Sequence, residues 1–109
     1  MNEEVKEFMN TYIRMNALDK TIDMYKDTMA VEYRAILTNR LVDTIKKLEK
    51  MVAEGKSELI KEHKEEALQL LTKENIEKVG MEAIKIKDWE YPFELMDAII
   101  NMSKGFNLA

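Results

Sequence analysis

Apolar residues recur every three to four positions through the first half of this chain, and neither Gly nor Pro occurs between residues 2 and 54. A repeat of this length places apolar side chains on one face of an α-helix, whereas a strand would alternate apolar and polar residues. Gly and Pro are the residues that most often end a helix. The pattern therefore predicts a long N-terminal helical element, about half of the 109 residues, with one apolar face to bury.

The apolar face of this element begins as a heptad repeat. Steps of seven residues connect four of its members, and two more lie between them at a/d spacing: Phe8, Met15, Ile22 and Met29, with Leu18 and Tyr25. Such a seam is typical of helices that pack along their length. We expect this heptad seam to be covered either by later helices of the same chain or by a second copy in a homodimer.

The apolar pattern changes phase after Met29. The apolar positions from Tyr33 to Val52 no longer continue the heptad seam. Either one long helix continues while its stripe drifts around the surface, or the chain turns near residues 27–30 and returns as a second helix. Asp27 and Thr28 are candidate N-caps for that second helix. Because neither Gly nor Pro marks a turn, the continuous helix is slightly favoured and the hairpin stays open.

Shorter helices are predicted in the second half from their cap residues. Gly55 is a candidate C-cap, and Ser57 is a candidate N-cap for a third helix over residues 58–71. Thr72 is a candidate N-cap for a fourth helix that begins at the next residue. Gly80 lies inside that helix, where it costs about 1 kcal/mol relative to Ala.

A fifth helix is predicted over residues 92–103, because Pro92 suits the first turn of a helix. Its predicted buried face consists of Phe93, Met96, Ile99 and Ile100. A short extended segment at residues 84–88 is an alternative to helix there, because Ile and Lys alternate. Together these elements predict an all-α, single-domain bundle of four to five helices over residues 1–109, with a long N-terminal helix or helical hairpin.

Composition narrows the classes of function. The net charge of −4 disfavours nucleic-acid and anionic-membrane surfaces, which need clustered Lys and Arg. The absence of Cys excludes disulfides, thiolate metal sites and Cys nucleophiles. The acidic N-terminal residues lack the apolar run of a signal peptide, and no apolar segment approaches the roughly 20 residues that span a bilayer. We therefore expect a cytoplasmic protein without membrane contact.

No motif in the chain predicts catalysis. His63 and Glu66 lie one helical turn apart, but two ligands make an incomplete metal site. Carboxylate pairs at i, i+3 spacing arise easily by chance in a Glu-rich chain, and three occur here: Glu4 with Glu7, Glu74 with Glu77, and Glu94 with Asp97. We expect no enzyme activity, no cofactor and no resident metal, with a helical metal-dependent hydrolase as the weakest alternative.

Methionine and the aromatic residues point to protein binding. The chain has nine Met, a residue over-used on adaptable binding surfaces, and Trp and Tyr dominate interface hot spots. The plainer explanation is that Met replaces Leu in a soft core and that the aromatic group fills a junction between helices. The partner-binding candidates are Met15, Ile22, Met29, Trp89, Tyr91 and Phe93.

These observations favour a non-enzymatic protein–protein interaction module, such as a small adaptor, inhibitor or assembly factor. We expect an unidentified protein partner and a homodimer formed through the heptad seam. The alternative is a DNA-associated helical regulator, disfavoured because acidic residues lie among its candidate contacts, Arg40, Lys46, Lys47 and Lys50. The size and the Lys-rich composition suit an accessory protein of a phage or mobile element, although no motif supports that source.

Overall fold

The computed structural model describes residues 2–87 and 92–104, with the side chains of all of these except residues 103 and 104. This part of the chain contains six helices and no strand, so the predicted all-α class is confirmed. The predicted third helix is divided into two. The helices are α1 (Glu3–Tyr25), α2 (Val31–Ala53), α3 (Lys56–Glu62), α4 (Lys64–Gln69), α5 (Lys73–Ile84) and α6 (Phe93–Lys104).

The first half of the chain is a helical hairpin, so the favoured continuous helix is wrong. The N–H groups of Thr28 and Met29 both donate to the Tyr25 carbonyl, which closes a turn at the end of α1. Ala30 is the N-cap of α2 and makes no side-chain cap bond. The predicted N-caps Asp27 and Thr28 are therefore also wrong. The phase change in the apolar pattern arises because two separate helices face each other.

The α2 helix covers the heptad seam of α1. In one buried cluster, Leu18 of α1 lies with Leu37 of α2, and the partly buried seam residues Ile22 and Met29 pack against the same cluster. In a second cluster, seam and α2 residues again occur together, as Phe8 and Met51. Both helices therefore bury their apolar stripes against each other, as an antiparallel pair requires.

The other side of α1 packs against α5 and α6. At Gly80 of α5, a Cβ atom would lie 3.2 Å from Ile99 Cγ2 of α6 and 3.6 Å from Ala17 Cβ of α1. The absence of a side chain at residue 80 therefore lets the three helices approach closely at one level. Because α2 lies on one side and these two helices on another, α1 is the central helix, and its residues Ile13 and Ala17 are fully buried.

Local cap chemistry explains where the shorter helices begin and end. Gly55 follows α2 with a φ of 85°, as predicted for a C-cap glycine, and Thr72 accepts the N–H of Asn75 as the predicted N-cap of α5. Ser57 is not a cap, because α3 already begins at the residue after Gly55. His63, with φ −115° and ψ 40°, separates α3 from α4.

The phase of α6 differs from the predicted one at its N-terminus. Leu95, Ile99 and Ile100 are buried, whereas Phe93 is 82% exposed. The burial predicted for Phe93 is therefore wrong, because Leu95 takes the inward position one turn before Ile99. Residues 85 and 86 are not helical, and of the predicted extended segment residue 88 lies outside the described residues.

Candidate interaction surface

Phe93 is the most exposed large apolar side chain in the described part of the chain, at 82%, and Val31 is nearly as exposed at 81%. Exposed Val at the first position of a helix is common, but an aromatic ring in water leaves much more apolar area unburied. Met24, near the end of α1, is 39% exposed. Phe93 therefore stands out as the side chain with the most to gain from a partner.

The chain leaves α5 near the end of the bundle where the hairpin turns. The Tyr33 hydroxyl, two residues into α2, donates to the Lys87 carbonyl at 3.3 Å. Ile99 is level with Gly80, which is seven residues before Lys87. Residues 88–92 alone separate Lys87 from α6, so the start of α6 is within reach of this end. We call the exposed surface around Phe93, in the first turn of α6, the turn-end surface.

The remaining protein-binding candidates have mixed environments. Ile22 and Met29 are partly buried against the chain's own core, and Met15 is half-buried on α1. Trp89 and Tyr91 lie outside the described residues. The structure thus brings the heptad-seam candidates into the hairpin and leaves Phe93 exposed at the turn-end surface.

Two of the basic candidates for nucleic-acid binding are occupied by contacts within the chain. Arg40 Nη1 donates to the carbonyls of Ala83 at 3.0 Å and of Lys85 at 2.8 Å, at the C-terminal end of α5. A cation there is favoured by the helix dipole. Lys47 forms a 3.0 Å ion pair with Glu7. Both of these cations therefore serve intrachain contacts.

The other two basic candidates stand in a charge-balanced region. Lys46 and Lys50 are exposed on α2. Lys50 lines a cleft together with the carboxylates of Glu4, Glu7 and Glu54. A phosphate backbone would meet this mixed surface with attraction and repulsion together. Around Lys50, this cleft therefore carries charges of both signs rather than a stripe of positive charge.

One ion pair at this end of the hairpin alters a pKa. Lys56 Nζ lies 2.9 Å from Glu4 Oε1. The hydrogen bond to Glu4 favours the ammonium form and raises the pKa of Lys56 above its ordinary value of 10.5. The pair joins the first turn of α1 to the first residue of α3, so it ties the two ends of the hairpin region together.

Carboxylates and the single His do not assemble into a metal site. Within the described residues, no group of three or more His, Asp or Glu side chains is placed to hold a metal ion. His63 Nδ1 lies 3.9 Å from Glu66 Oε1, while Glu66 Oε2 accepts the Asn2 backbone N–H at 3.1 Å. Glu77 lies 3.9 Å from the Lys73 ammonium. The i, i+3 carboxylates thus face cations, backbone groups or solvent.

A cleft between α1, α2 and α5 collects four charged side chains that the sequence did not link. It has a volume of about 310 Å³, and its lining includes Arg14, Arg40, Asp43 and Glu82. In the described part of the chain, the side chains of Arg14, Asp43 and Glu82 form no hydrogen bond or ion pair. No spacing rule could have found this group, because its members come from three helices whose arrangement depends on the hairpin.

Among the helices described, none is both long enough and apolar enough to cross a membrane. Comparisons with family models, with curated proteins and with solved structures each find no match to this chain.

Proposed function

We propose that this chain is a non-enzymatic helical protein–protein interaction module, a small adaptor, inhibitor or assembly factor that docks a partner at the turn-end surface. The observation that carries the proposal is the 82% exposure of Phe93. Burying a Phe side chain that is otherwise in water contributes about 1.5–3 kcal/mol, enough to make it an anchor residue.

The surroundings of Phe93 support the proposal. Acidic Glu94 and Asp97 are exposed on the same helix, which gives the apolar anchor a polar rim. Trp89 and Tyr91 precede Phe93 in the sequence, and aromatic residues are enriched at interface centres. A partner with an apolar pocket and a basic margin would complement this surface.

The test uses a matched pair of variants. Phe93→Asp places a charge at the turn-end surface, and Leu68→Asp places the same charge at another partly exposed apolar position, on α4, where Leu68 is 46% exposed. Both variants should stay folded by circular dichroism. Partners should be identified by crosslinking from a photoreactive residue at position 93 and then purified for affinity measurement.

We expect Phe93→Asp to weaken the purified partner's binding at least about tenfold, and Leu68→Asp to leave it unchanged. Equal affinity for both variants would contradict the assignment of the turn-end surface. Robust turnover of a common substrate class by the wild-type chain would contradict the non-enzymatic proposal.

A further inference from the structure

The cleft between α1, α2 and α5 is lined by charged groups of both signs. Ion pairs of 4.0 Å or less occur elsewhere in the described chain, between Lys47 and Glu7 and between Lys56 and Glu4. In the cleft, two guanidinium and two carboxylate groups line one space without forming a single such pair. The charged side chains of the cleft therefore do not neutralise each other through direct ion pairs, and the carboxylates of Asp43 and Glu82 are exposed.

Two features make the arginines suited to a ligand. Arg40 is anchored through Nη1 by the carbonyls of Ala83 and Lys85, so its guanidinium is positioned before any ligand arrives. Arg14 is half-buried and has no partner among the described residues. A charge with reduced access to water gains more from an opposite charge than an exposed one does.

The presence of both positive and negative groups in the cleft indicates the class of ligand. A simple anion attracted by Arg14 and Arg40 would be repelled by Asp43 and Glu82. A simple cation attracted by the two carboxylates would be repelled by the two guanidinium groups. A molecule that carries one carboxylate and one ammonium group can satisfy both sets. The apolar part of the lining, from Leu18 and Ala83, suits the carbon chain between the two charged groups.

We propose that the cleft lined by Arg14, Arg40, Asp43 and Glu82 binds a small amino-carboxylate zwitterion. The guanidinium groups hold the ligand carboxylate, for which their fork geometry is well matched, and Asp43 and Glu82 hold its ammonium group. The volume of about 310 Å³ lies at the lower end of small-molecule sites, which fits a ligand of amino-acid size. The site is separate from the turn-end surface, so it does not depend on the proposed function.

The test is an NMR titration of the ¹⁵N-labelled chain with a series of zwitterions that differ in charge separation. The probes are glycine, 4-aminobutyrate and 6-aminohexanoate, and the single-charge controls are butyrate and butylamine. We expect at least one zwitterion to shift the resonances of cleft residues at concentrations up to about 10 mM, with both controls at least about tenfold weaker.

Variants assign the binding to this cleft. Arg14→Gln and Asp43→Asn should each weaken the bound zwitterion at least about tenfold, while Arg34→Gln, at an exposed position of α2 outside the cleft, should leave the affinity unchanged. The proposal is overturned if no zwitterion shifts the cleft residues, or if butyrate binds as well as the zwitterions. It is also overturned if Arg14→Gln and Asp43→Asn, with native circular dichroism, bind like the wild type.

Discussion

Replacement of Gly80 tests the close packing of α1, α5 and α6. In Gly80→Ala, the added Cβ would lie 3.2 Å from Ile99 Cγ2 and 3.6 Å from Ala17 Cβ. Carbon atoms prefer separations of about 3.5–4.0 Å, so the overlap with Ile99 is a few tenths of an ångström, and Ala17 is in ordinary contact. Ala also removes the helix penalty of Gly, a gain of about 1 kcal/mol. The two effects oppose each other.

We therefore expect Gly80→Ala to change the free energy of unfolding by less than about 0.5 kcal/mol, and Gly80→Val to lower it by about 1–3 kcal/mol, because two further methyl groups overpack the site. Urea unfolding followed by circular dichroism measures both changes. The Ile99→Leu background removes the Cγ2 atom, and there Gly80→Ala should gain most of the propensity term, about 1 kcal/mol.

Gly55→Ala is the comparison for Gly80→Ala, because Gly55 has space around it but a positive φ. No atom lies within 4 Å of a Cβ added there, but its φ of 85° is unfavourable for Ala. This variant should lose about 1–2 kcal/mol regardless of the residue at position 99. Close packing at residue 80 is contradicted if Gly80→Ala alone stabilises the fold by the full propensity gain, or if the effect of Gly80→Ala is the same in the Ile99→Leu background.

Three further predictions concern polar groups. Arg40→Met should lower the free energy of unfolding by about 1–2 kcal/mol, because two charge-assisted hydrogen bonds at the end of α5 are lost. The control, Arg34→Met, changes an exposed residue of α2 and should alter the free energy of unfolding by less than about 0.5 kcal/mol in the same urea assay. Asn16→Leu should stabilise the fold by about 1 kcal/mol, because the buried Asn16 Nδ2 has no partner in the described chain; a loss of stability would show that this amide is paired. The stabilisation from Lys56 and Glu4 should be present at neutral pH and lost as pH rises above 10.5 through the raised pKa of Lys56. An NMR titration of Lys56 Nζ should show that pKa fall toward its ordinary value in Glu4→Gln, and an unchanged pKa would assign the shift to other groups.

The helices of the second half could be located largely from sequence because their signals are local. The Thr72 hydroxyl accepts an N–H three residues away, and Gly55 adopts its positive φ directly after α2. Such interactions involve neighbours within one turn, so the residue types identify them without knowledge of the fold. The break at His63 carries no such signal, so the sequence predicts one helix where the structure has two.

The candidate sites depended on longer-range packing. Phe93 matched an inward position by spacing alone, but Leu95 occupies that face once α6 packs against α1 and α5. The sequence offers Arg40 as a candidate nucleic-acid contact, but its carbonyl partners lie at the end of α5, more than 40 residues later. Spacing along one helix cannot show which side of that helix a distant segment will cover.

The sequence by itself determined the all-α class and the apolar stripes of α1 and α2, because a period of 3.6 residues and the cap residues are properties of neighbouring positions. Tertiary structure decided that these stripes face each other across a turn without Gly or Pro. A single continuous helix would satisfy nearly the same backbone hydrogen bonds but could not pack the stripe of α2 against the heptad seam of α1. The hairpin buries Leu18 with Leu37, and this non-local removal of apolar surface from water is the physical term that selects it.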